Sequence, residues 1–159
     1  MIDPFGRDPV RRLRLVFPSE SVTALAELLE NEAPRTCRAI WEALPFEGEL
    51  NHAMWSGPET YLPIAPSLRI DPEHQTSYPL PGEIGFYAID GGVLMDWPDD
   101  MAELAFFYGR GARPSMPDGP VAMNVFARII ENFEGFRSVC ARMRKEGVKR
   151  LRVERDAPS

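Results

Sequence analysis

The imidazole of His52 is the side chain in this sequence best suited to proton transfer near neutral pH, because histidine changes its charge there. The carboxylates of Glu49, Glu59 and Glu83 could orient the ring. No Ser-His-Asp spacing and no second metal ligand accompanies it. His52 is therefore either a catalytic group or a structural histidine whose ring nitrogens are hydrogen-bonded within the fold.

Aromatic residues recur in the segments around His52. Aromatic walls supply contact area, and their polar tips orient a ligand, so they indicate a slot for a small ring-bearing or amphipathic molecule. Alternate strand residues face opposite sides, so each ring could instead lie in the core.

The segment Arg110-Gly111-Ala112-Arg113 follows a predicted strand. Two guanidinium groups around a flexible glycine could hold a carboxylate or phosphate, so Arg110 and Arg113 are candidates for binding the anionic end of a ligand. The alternative is that both arginines are solvated and balance nearby aspartates such as Asp99 and Asp118.

Two cysteines and two histidines leave few ligands for a metal ion and exclude a disulfide framework. Cys37 and Cys140 each lie in an apolar stripe, which is typical of small core residues rather than nucleophiles. His74 lies in a loop rich in proline and aspartate. We therefore expect no metal and no other cofactor.

Two stretches carry apolar residues at the spacing of an amphipathic helix. The first begins at Pro34 and is stopped by Pro45, and the second begins near Glu134 and ends at Gly147. Their apolar positions are Cys37, Ile40, Trp41 and Leu44 in the first and Phe136, Val139, Cys140 and Met143 in the second.

Most other segments are short, rich in branched and aromatic residues, and bounded by turn residues, which is typical of strands. Residues 21–30 fit either a helix or a strand, and propensity alone favours a helix. The predicted strands are 12–17, 50–55, 59–64, 83–88, 93–96, 103–108, 123–130 and 148–154. The pattern predicts a mainly β fold: a closed or nearly closed antiparallel eight-stranded barrel with two helices plugging its ends.

The order of several segments resembles that of the cyclophilins. Residues 22–44 are similar to the cyclophilin strand that leads into the first helix, and residues 124–147 to the strand, turn and helix that close that barrel. Pro81-Gly82-Glu83-Ile84 and Phe106-Phe107-Tyr108-Gly109 add to the likeness, and Trp55-Ser56-Gly57 resembles a bacterial branch of unknown function. The resemblance implies a cyclophilin-like barrel in which 21–30 is a strand. It also implies a groove on the barrel, whose walls would present His52 and the rings of Trp55, Tyr61, Tyr87 or Phe86, Phe106 or Phe107, and Tyr108.

The same resemblance argues against prolyl isomerase activity. Cyclophilins use an arginine that follows a Phe-His pair, whereas Asn51-His52-Ala53 has alanine at that place. The Gln-Gly-Gly-Asp motif that usually follows is also missing. Without a positioned donor, the rotating amide loses its main stabilisation.

Composition sets the remaining expectations. The 159 residues suit a single domain, with tails at 1–10 and 156–159. Twenty-four acidic against 18 basic residues give a net charge of −6, which argues against nucleic acid as a partner. No signal-peptide or membrane-spanning segment is present, so we expect a cytoplasmic protein that does not bind membranes.

Three hypotheses follow. The first is a protein or metabolic enzyme that binds a small molecule in a groove on the barrel, with His52 as the polar group. The second is a residual prolyl isomerase. The third is an interaction module in which exposed aromatic strands form a homo-oligomer.

Overall fold

Strands make up most of the regular structure. The computed structural model describes residues 4–6, 8–94 and 97–157 of the chain. The strands are β1 (Arg12–Phe17), β2 (Val22–Leu28), β3 (Phe46–His52), β4 (Glu59–Ile64), β5 (Gln75–Thr76), β6 (Glu83–Ile89), β7 (Met101–Phe107), β8 (Ser115–Met116), β9 (Gly119–Pro120), β10 (Met123–Glu131) and β11 (Lys149–Arg155). The α-helices are α1 (Pro34–Ala43) and α2 (Phe133–Glu146), and Pro18–Glu20 forms a short 3-10 helix.

Eight of these strands close into an antiparallel barrel in the order β2-β1-β11-β3-β4-β7-β6-β10, and β10 pairs with β2 to complete the circle. Closure leaves the barrel without unpaired strand edges. The short β5 pairs with β10, and β8 and β9 form a separate hairpin. The structure therefore confirms the prediction of a closed eight-stranded barrel with two helices.

The barrel interior and the helices share one hydrophobic core. Alternate residues of β1 and β2 point inward, as the period of a strand requires. The ring of Phe136 on α2 packs against Phe17 and Phe106, with ring centroids 5.1 Å and 5.5 Å apart. Cys37 and Cys140 are buried free thiols in this core, which confirms their expected place.

Asn132 and Gly147 mark the two ends of α2, and Gly147 is the predicted stop. Asn132 adopts a left-handed conformation at φ 55°, and its side-chain oxygen accepts a hydrogen bond from the Gly135 amide. Gly147 ends the helix at φ 84°, a conformation that glycine adopts without steric cost. Residues 22–28 form the strand β2 rather than the helix that propensity favours, because pairing with β1 and β10 fixes them in an extended conformation.

Two predicted strands are wrong. The strand expected at 50–55 is shifted, because β3 ends at His52 and the chain then turns so that the Ala53 amide donates to Glu59 O. The strand expected at 93–96 does not form at 93–94: the Gly92 amide donates to Trp97 O across a loop, and Val93 is 66% exposed. Residues 95–96, like 1–3, 7 and 158–159 of the predicted tails, lie outside the described residues.

Residues 109–122, here called the strap, lie over the outside of β7. Ala112 and Val121 of the strap form a second, smaller apolar cluster with Ala105 and Phe107. The Arg113 amide donates to Ser56 O at 2.8 Å, and further hydrogen bonds join Ser56 and Ser115. This part of the outer barrel wall is consequently covered rather than solvated.

No helix among the described residues is both long enough and apolar enough to cross a membrane.

Candidate functional site

The His52 ring is joined to the Tyr108 hydroxyl at the end of the barrel. Its Nδ1 lies 2.8 Å from Ala53 O, and its Nε2 lies 2.6 Å from Tyr108 Oη. Because a carbonyl oxygen only accepts, Nδ1–H is the donor to Ala53. Nε2 of the neutral ring then accepts from the Tyr108 hydroxyl. None of the three carboxylates expected to orient His52 contacts it.

The surroundings of His52 favour this neutral state. Burial lowers the pKa of His52, and the positive charge of Arg144 lowers it further, against an opposing effect of the Ala53 carbonyl. The ring is thus a hydrogen-bond acceptor for Tyr108 near neutral pH.

A cleft of about 260 Å³ opens beside Tyr108. We call it the arginine cleft, since two guanidinium groups lie at its rim and aromatic and proline residues form the rest. Its lining residues are Pro81, Tyr108, Gly109, Arg110, Phe133 and Arg137. This composition suits an anionic group on an apolar or ring-bearing body.

Backbone contacts place the elements of this cleft. The Tyr108 amide donates to Pro58 O, which holds the end of β7 in position. The Gly82 amide donates to Phe107 O at 2.7 Å and so brings Pro81 to the same end of the barrel. Phe133 and Arg137 are four residues apart on α2 and therefore share one helix face.

The two arginines of the cleft differ in their existing partners. Within the described part of the chain, Arg110 is exposed and makes no ion pair. Arg137 contacts Glu134 at 3.5 Å, and both side chains are largely exposed, so that ion pair is weak. Both guanidinium groups are consequently available to an anion.

The structure divides the predicted ligand-binding residues among several places. Tyr108 and Arg110 line the arginine cleft, with His52 behind Tyr108. Arg113 instead lies over the ring of Tyr78, with its Cζ atom 4.7 Å from the ring centroid. Trp55 is 53% exposed in the turn after β3.

Tyr61 and Tyr87 lie on the outer wall of the barrel, around a pair of buried acids. No sequence pattern predicts that these two acids lie near each other. Glu59 and Glu103 are only 3% and 5% exposed. Oε1 of Glu59 is buried and has no hydrogen-bond partner. We call this group the carboxyl slot: Glu59, Tyr61, Tyr87, Glu103 and the small residue Ala105 between them.

Burial controls the acid–base properties of the carboxyl slot. It raises the pKa of Glu103 to about 7. Burial, together with the charge of Glu103, raises the pKa of Glu59 to about 8, against an opposing hydrogen bond with Ser56. Burial also raises the pKa of Tyr61 and Tyr87, and the charge of Glu103 adds to both effects.

Only part of this slot had a signal in the sequence. Glu103 stands within Met101–Phe107, an otherwise apolar strand whose residues are buried on both faces apart from its first. A charged residue inside such a run indicates a buried acid. Glu59 gives no comparable signal, because it is the first residue of β4 rather than part of an apolar run.

The described residues contain no group of three or more histidine, cysteine, aspartate or glutamate side chains placed to hold a metal ion. His74 points to the backbone instead, with Nδ1 at 2.8 Å from Val125 O.

Comparison with known proteins identifies the family. A family model described as "Protein of unknown function (DUF3830)" matches residues 15–154. The chain belongs to this family. The match begins within β1 and ends within β11, so it spans the whole barrel. No curated protein matches the chain significantly.

Two solved structures share the fold of this DUF3830 protein. The structure of McbB in complex with tryptophan has a TM-score of 0.67 and 17% sequence identity, covering 92% of this chain and 45% of McbB. The solution structure of the hypothetical protein AF2241 from Archaeoglobus fulgidus has a TM-score of 0.56 and 24% identity, covering 94% and 97% of the two chains.

This chain thus spans less than half the length of McbB. At these identities the likeness shows the fold alone. Neither the family description nor these two structures names a cyclophilin, so the resemblance to cyclophilins is not confirmed.

Proposed function

We propose that this protein binds a small carboxylate with an apolar or aromatic body in the arginine cleft. The observation that carries the proposal is the pair of exposed arginines, Arg110 and Arg137, which line the cleft together with Tyr108 and Phe133. Guanidinium groups recognise carboxylates by paired hydrogen bonds, and aromatic surfaces bury the remainder of such a ligand. The volume of about 260 Å³ limits the occupant to a small molecule.

The charge balance supports an anion rather than a neutral ligand. The protein as a whole carries −6, yet the cleft rim presents two arginines whose charges are not neutralised by buried acids. Binding an anion there relieves the repulsion between the two cations. His52 contributes indirectly, since its hydrogen bond fixes the Tyr108 hydroxyl.

Tryptophan is a sensible first probe. McbB shares the fold and has been solved with tryptophan, which is a ring-bearing carboxylate. Because the two chains share only 17% sequence identity, no binding residue of McbB can be assigned to this chain. The test therefore uses residues of this chain.

Isothermal titration calorimetry with three ligands tests the proposal: tryptophan, indole-3-acetate and its neutral analogue indole-3-ethanol. We expect indole-3-acetate to bind at least about tenfold more tightly than the alcohol, because only the carboxylate pairs with the arginines. Arg110→Ala and Arg137→Ala should each raise the Kd for indole-3-acetate about tenfold.

Arg38→Ala is the matched control, since Arg38 is an exposed arginine on α1, away from the cleft lining. It should leave the Kd unchanged. Equal affinities for the acid and the alcohol, or an unchanged Kd in both cleft variants, would contradict the proposal.

A further inference from the structure

A second cleft, of about 240 Å³, opens where β6 extends past the start of β10. We call it the edge cleft. One wall is formed by residues 69–72 of the loop before β5, and the other by residues 86–88 of β6; Gln75, Ala122 and Asn124 complete the lining. The edge cleft shares no lining residue with the arginine cleft, so the two are separate.

The edge cleft lies along the edge of β6 rather than over one of its faces. Side chains of consecutive strand residues point to opposite faces. Phe86, Tyr87 and Ala88 are consecutive, yet all three line the cleft. Three such residues share a cavity only where the main chain between them is accessible, which is at the strand edge.

This part of the β6 edge has no partner strand. The pairing between β10 and β6 ends with Asn124 opposite Phe86. Continued in the same register, Ala122 would pair with Ala88, but β10 begins at Met123 and Ala122 belongs to the strap. Beyond Phe86, β6 is therefore paired with β7 alone.

The free groups on this edge are the backbone N–H and C=O of Ala88. In a strand, the N–H and C=O groups of every second residue face the same neighbour. The Gly82 carbonyl accepts from the Ile129 amide on the β10 side, so Ala88, six positions later, faces that side too. No described residue bonds to Ala88 there. Ala88 thus presents one donor and one acceptor to the cleft.

The opposite wall is held in place by the side chain of Asn124, which is 2% exposed. Its Nδ2 donates to Asp71 O at 3.0 Å, and its Oδ1 accepts from the Glu73 amide at 3.2 Å. Ile70 and Pro72 on the same loop add apolar surface to the cleft. The cleft therefore combines a free backbone donor and acceptor on one wall with apolar side chains on the other.

The charges at the rim of the edge cleft disfavour an anion. Arg69 lines the cleft, but it already contacts Asp90 at 3.1 Å and Asp100 at 3.7 Å. Asp71 adds a carboxylate whose side chain is 88% exposed. An anionic ligand would be repelled by these acids, whereas a neutral ligand would not.

We propose that the edge cleft binds a small, neutral, planar cyclic amide, that is, a ring in which an N–H and a C=O are neighbours. The ring N–H donates to the Ala88 carbonyl, and the ring C=O accepts from the Ala88 amide, as in the pairing of two strands. Ile70, Pro72 and Phe86 supply apolar surface for the body of the ring.

An extended peptide fits this edge less well. Strand addition uses a row of main-chain hydrogen bonds along an exposed edge. Because β6 ends at Ile89, the free edge within the strand offers the groups of Ala88 alone. The volume of about 240 Å³ likewise suits a single ring.

NMR titration with uracil tests the proposal, with 1,3-dimethyluracil as the analogue that keeps the ring and both carbonyls but has no N–H. We expect uracil to bind at least about tenfold more tightly, because only uracil donates to the Ala88 carbonyl. The linear diamide N-acetylglycine N-methylamide should also bind at least about tenfold more weakly than uracil. Equal binding of uracil and either analogue would overturn the proposal.

Ala122→Phe fills the cleft from a half-buried position outside the strands and should raise the Kd for uracil at least about tenfold. Ala65→Phe is the matched control, since Ala65 is an exposed loop alanine outside the cleft lining, and its Kd should equal that of the wild type. Arg110→Ala should also leave this Kd unchanged, which separates the result from the test of the arginine cleft.

A second readout uses the unmutated protein and does not depend on the folding of any variant. The amide proton of Ala88 should move downfield as uracil is added, and its exchange with solvent should slow at least about tenfold at saturation. An Ala88 amide that neither moves nor gains protection at saturating uracil would overturn the proposal, as would an unchanged Kd in folded Ala122→Phe.

Discussion

The side chains of Glu73 and Glu59 both have little exposure to solvent, yet their environments shift the two pKa values in opposite directions. The side chain of Glu73, in the loop before β5, is 8% exposed, and Glu59 on the outer wall is 3% exposed. Burial alone would raise the pKa of Glu73, but hydrogen bonds from Thr36 and Arg35 outweigh it and lower that pKa to about 2. Glu59 has no comparable set of donors, and its pKa rises to about 8.

The two acids differ clearly in their hydrogen-bond donors. The amide and hydroxyl of Thr36 donate to Oε2 of Glu73 at 2.8 Å and 2.7 Å, and Arg35 donates to Oε1. The Glu73 carboxylate therefore ties the start of α1 to the loop before β5. Oε1 of Glu59, by contrast, has no hydrogen-bond partner. A buried carboxyl group in that state is typically protonated or bound to a ligand.

The largest effect should come from removing the satisfied acid. Glu73→Ala leaves the amide and hydroxyl of the buried Thr36 without acceptors, and we expect it to lower the free energy of unfolding at pH 7 by about 3 kcal/mol. Urea denaturation measures this change. Glu49→Ala should cost no more than about 0.5 kcal/mol, and equal losses in the two variants would remove the contrast.

The two acids of the outer wall, Glu59 and Glu103, should have the opposite effect on stability. Between their ordinary pKa of 4.5 and folded values of about 7 and 8, Glu103 and Glu59 hold more protons in the folded than in the unfolded chain. Stability therefore falls as the pH rises from about 5 to about 9.

Glu59→Gln should flatten that decline and make the protein more stable than the wild type at pH 9. Thermal melts across the pH range report both changes. A wild-type stability that rises from pH 5 to pH 9 would show that these carboxyl groups are solvated.

Below about pH 4.5, the protonation of Glu73 should have a large effect on the stability of the protein. Its pKa lies below the ordinary value, so the stability it contributes is complete above about pH 4.5 and is lost as the pH falls toward 2. Glu73→Ala and the wild type should consequently converge in stability near pH 2. Parallel curves down to that pH would contradict the assignment.

The smallest expected effect tests the polar pair behind the arginine cleft. Tyr108→Phe removes the hydroxyl that donates to Nε2 of His52, and we expect a loss of about 1 kcal/mol at pH 8. Because the pKa of His52 is lowered in the folded protein, the stability that the neutral ring contributes is present above about pH 6.5 and is lost as the pH falls below it. No measurable loss in urea denaturation would show that the hydrogen bond does not form.

Most of the barrel could be predicted from local patterns. The apolar stripe of α1 and the alternation of β1 are visible in single segments, and the structure confirms both. The strand predicted at 93–96 is wrong at residues 93–94. The branched residue Val93 favours a strand, but residues 93–94 pair with no neighbouring strand. Local patterns could not predict the strand at residues 22–28, because their propensity favours a helix. Pairing with two distant strands overrides that propensity.

The candidate sites were predictable only in part. Tyr108 and Arg110 are two positions apart, so the sequence could place them together at one strand end. The sequence could not place Arg137 beside Tyr108 and Arg110, because Arg137 reaches the cleft only through the packing of α2 against the barrel. The burial of Glu59, at the start of β4, likewise has no local signal.

The most direct test of the proposed function is a map of amide chemical-shift changes in the labelled protein when indole-3-acetate is added. We predict the largest changes at residues 108–110 and 133–137, on the two sides of the arginine cleft, with a saturable dependence on ligand concentration. Changes confined to other parts of the barrel, or none at saturating ligand, would contradict the account.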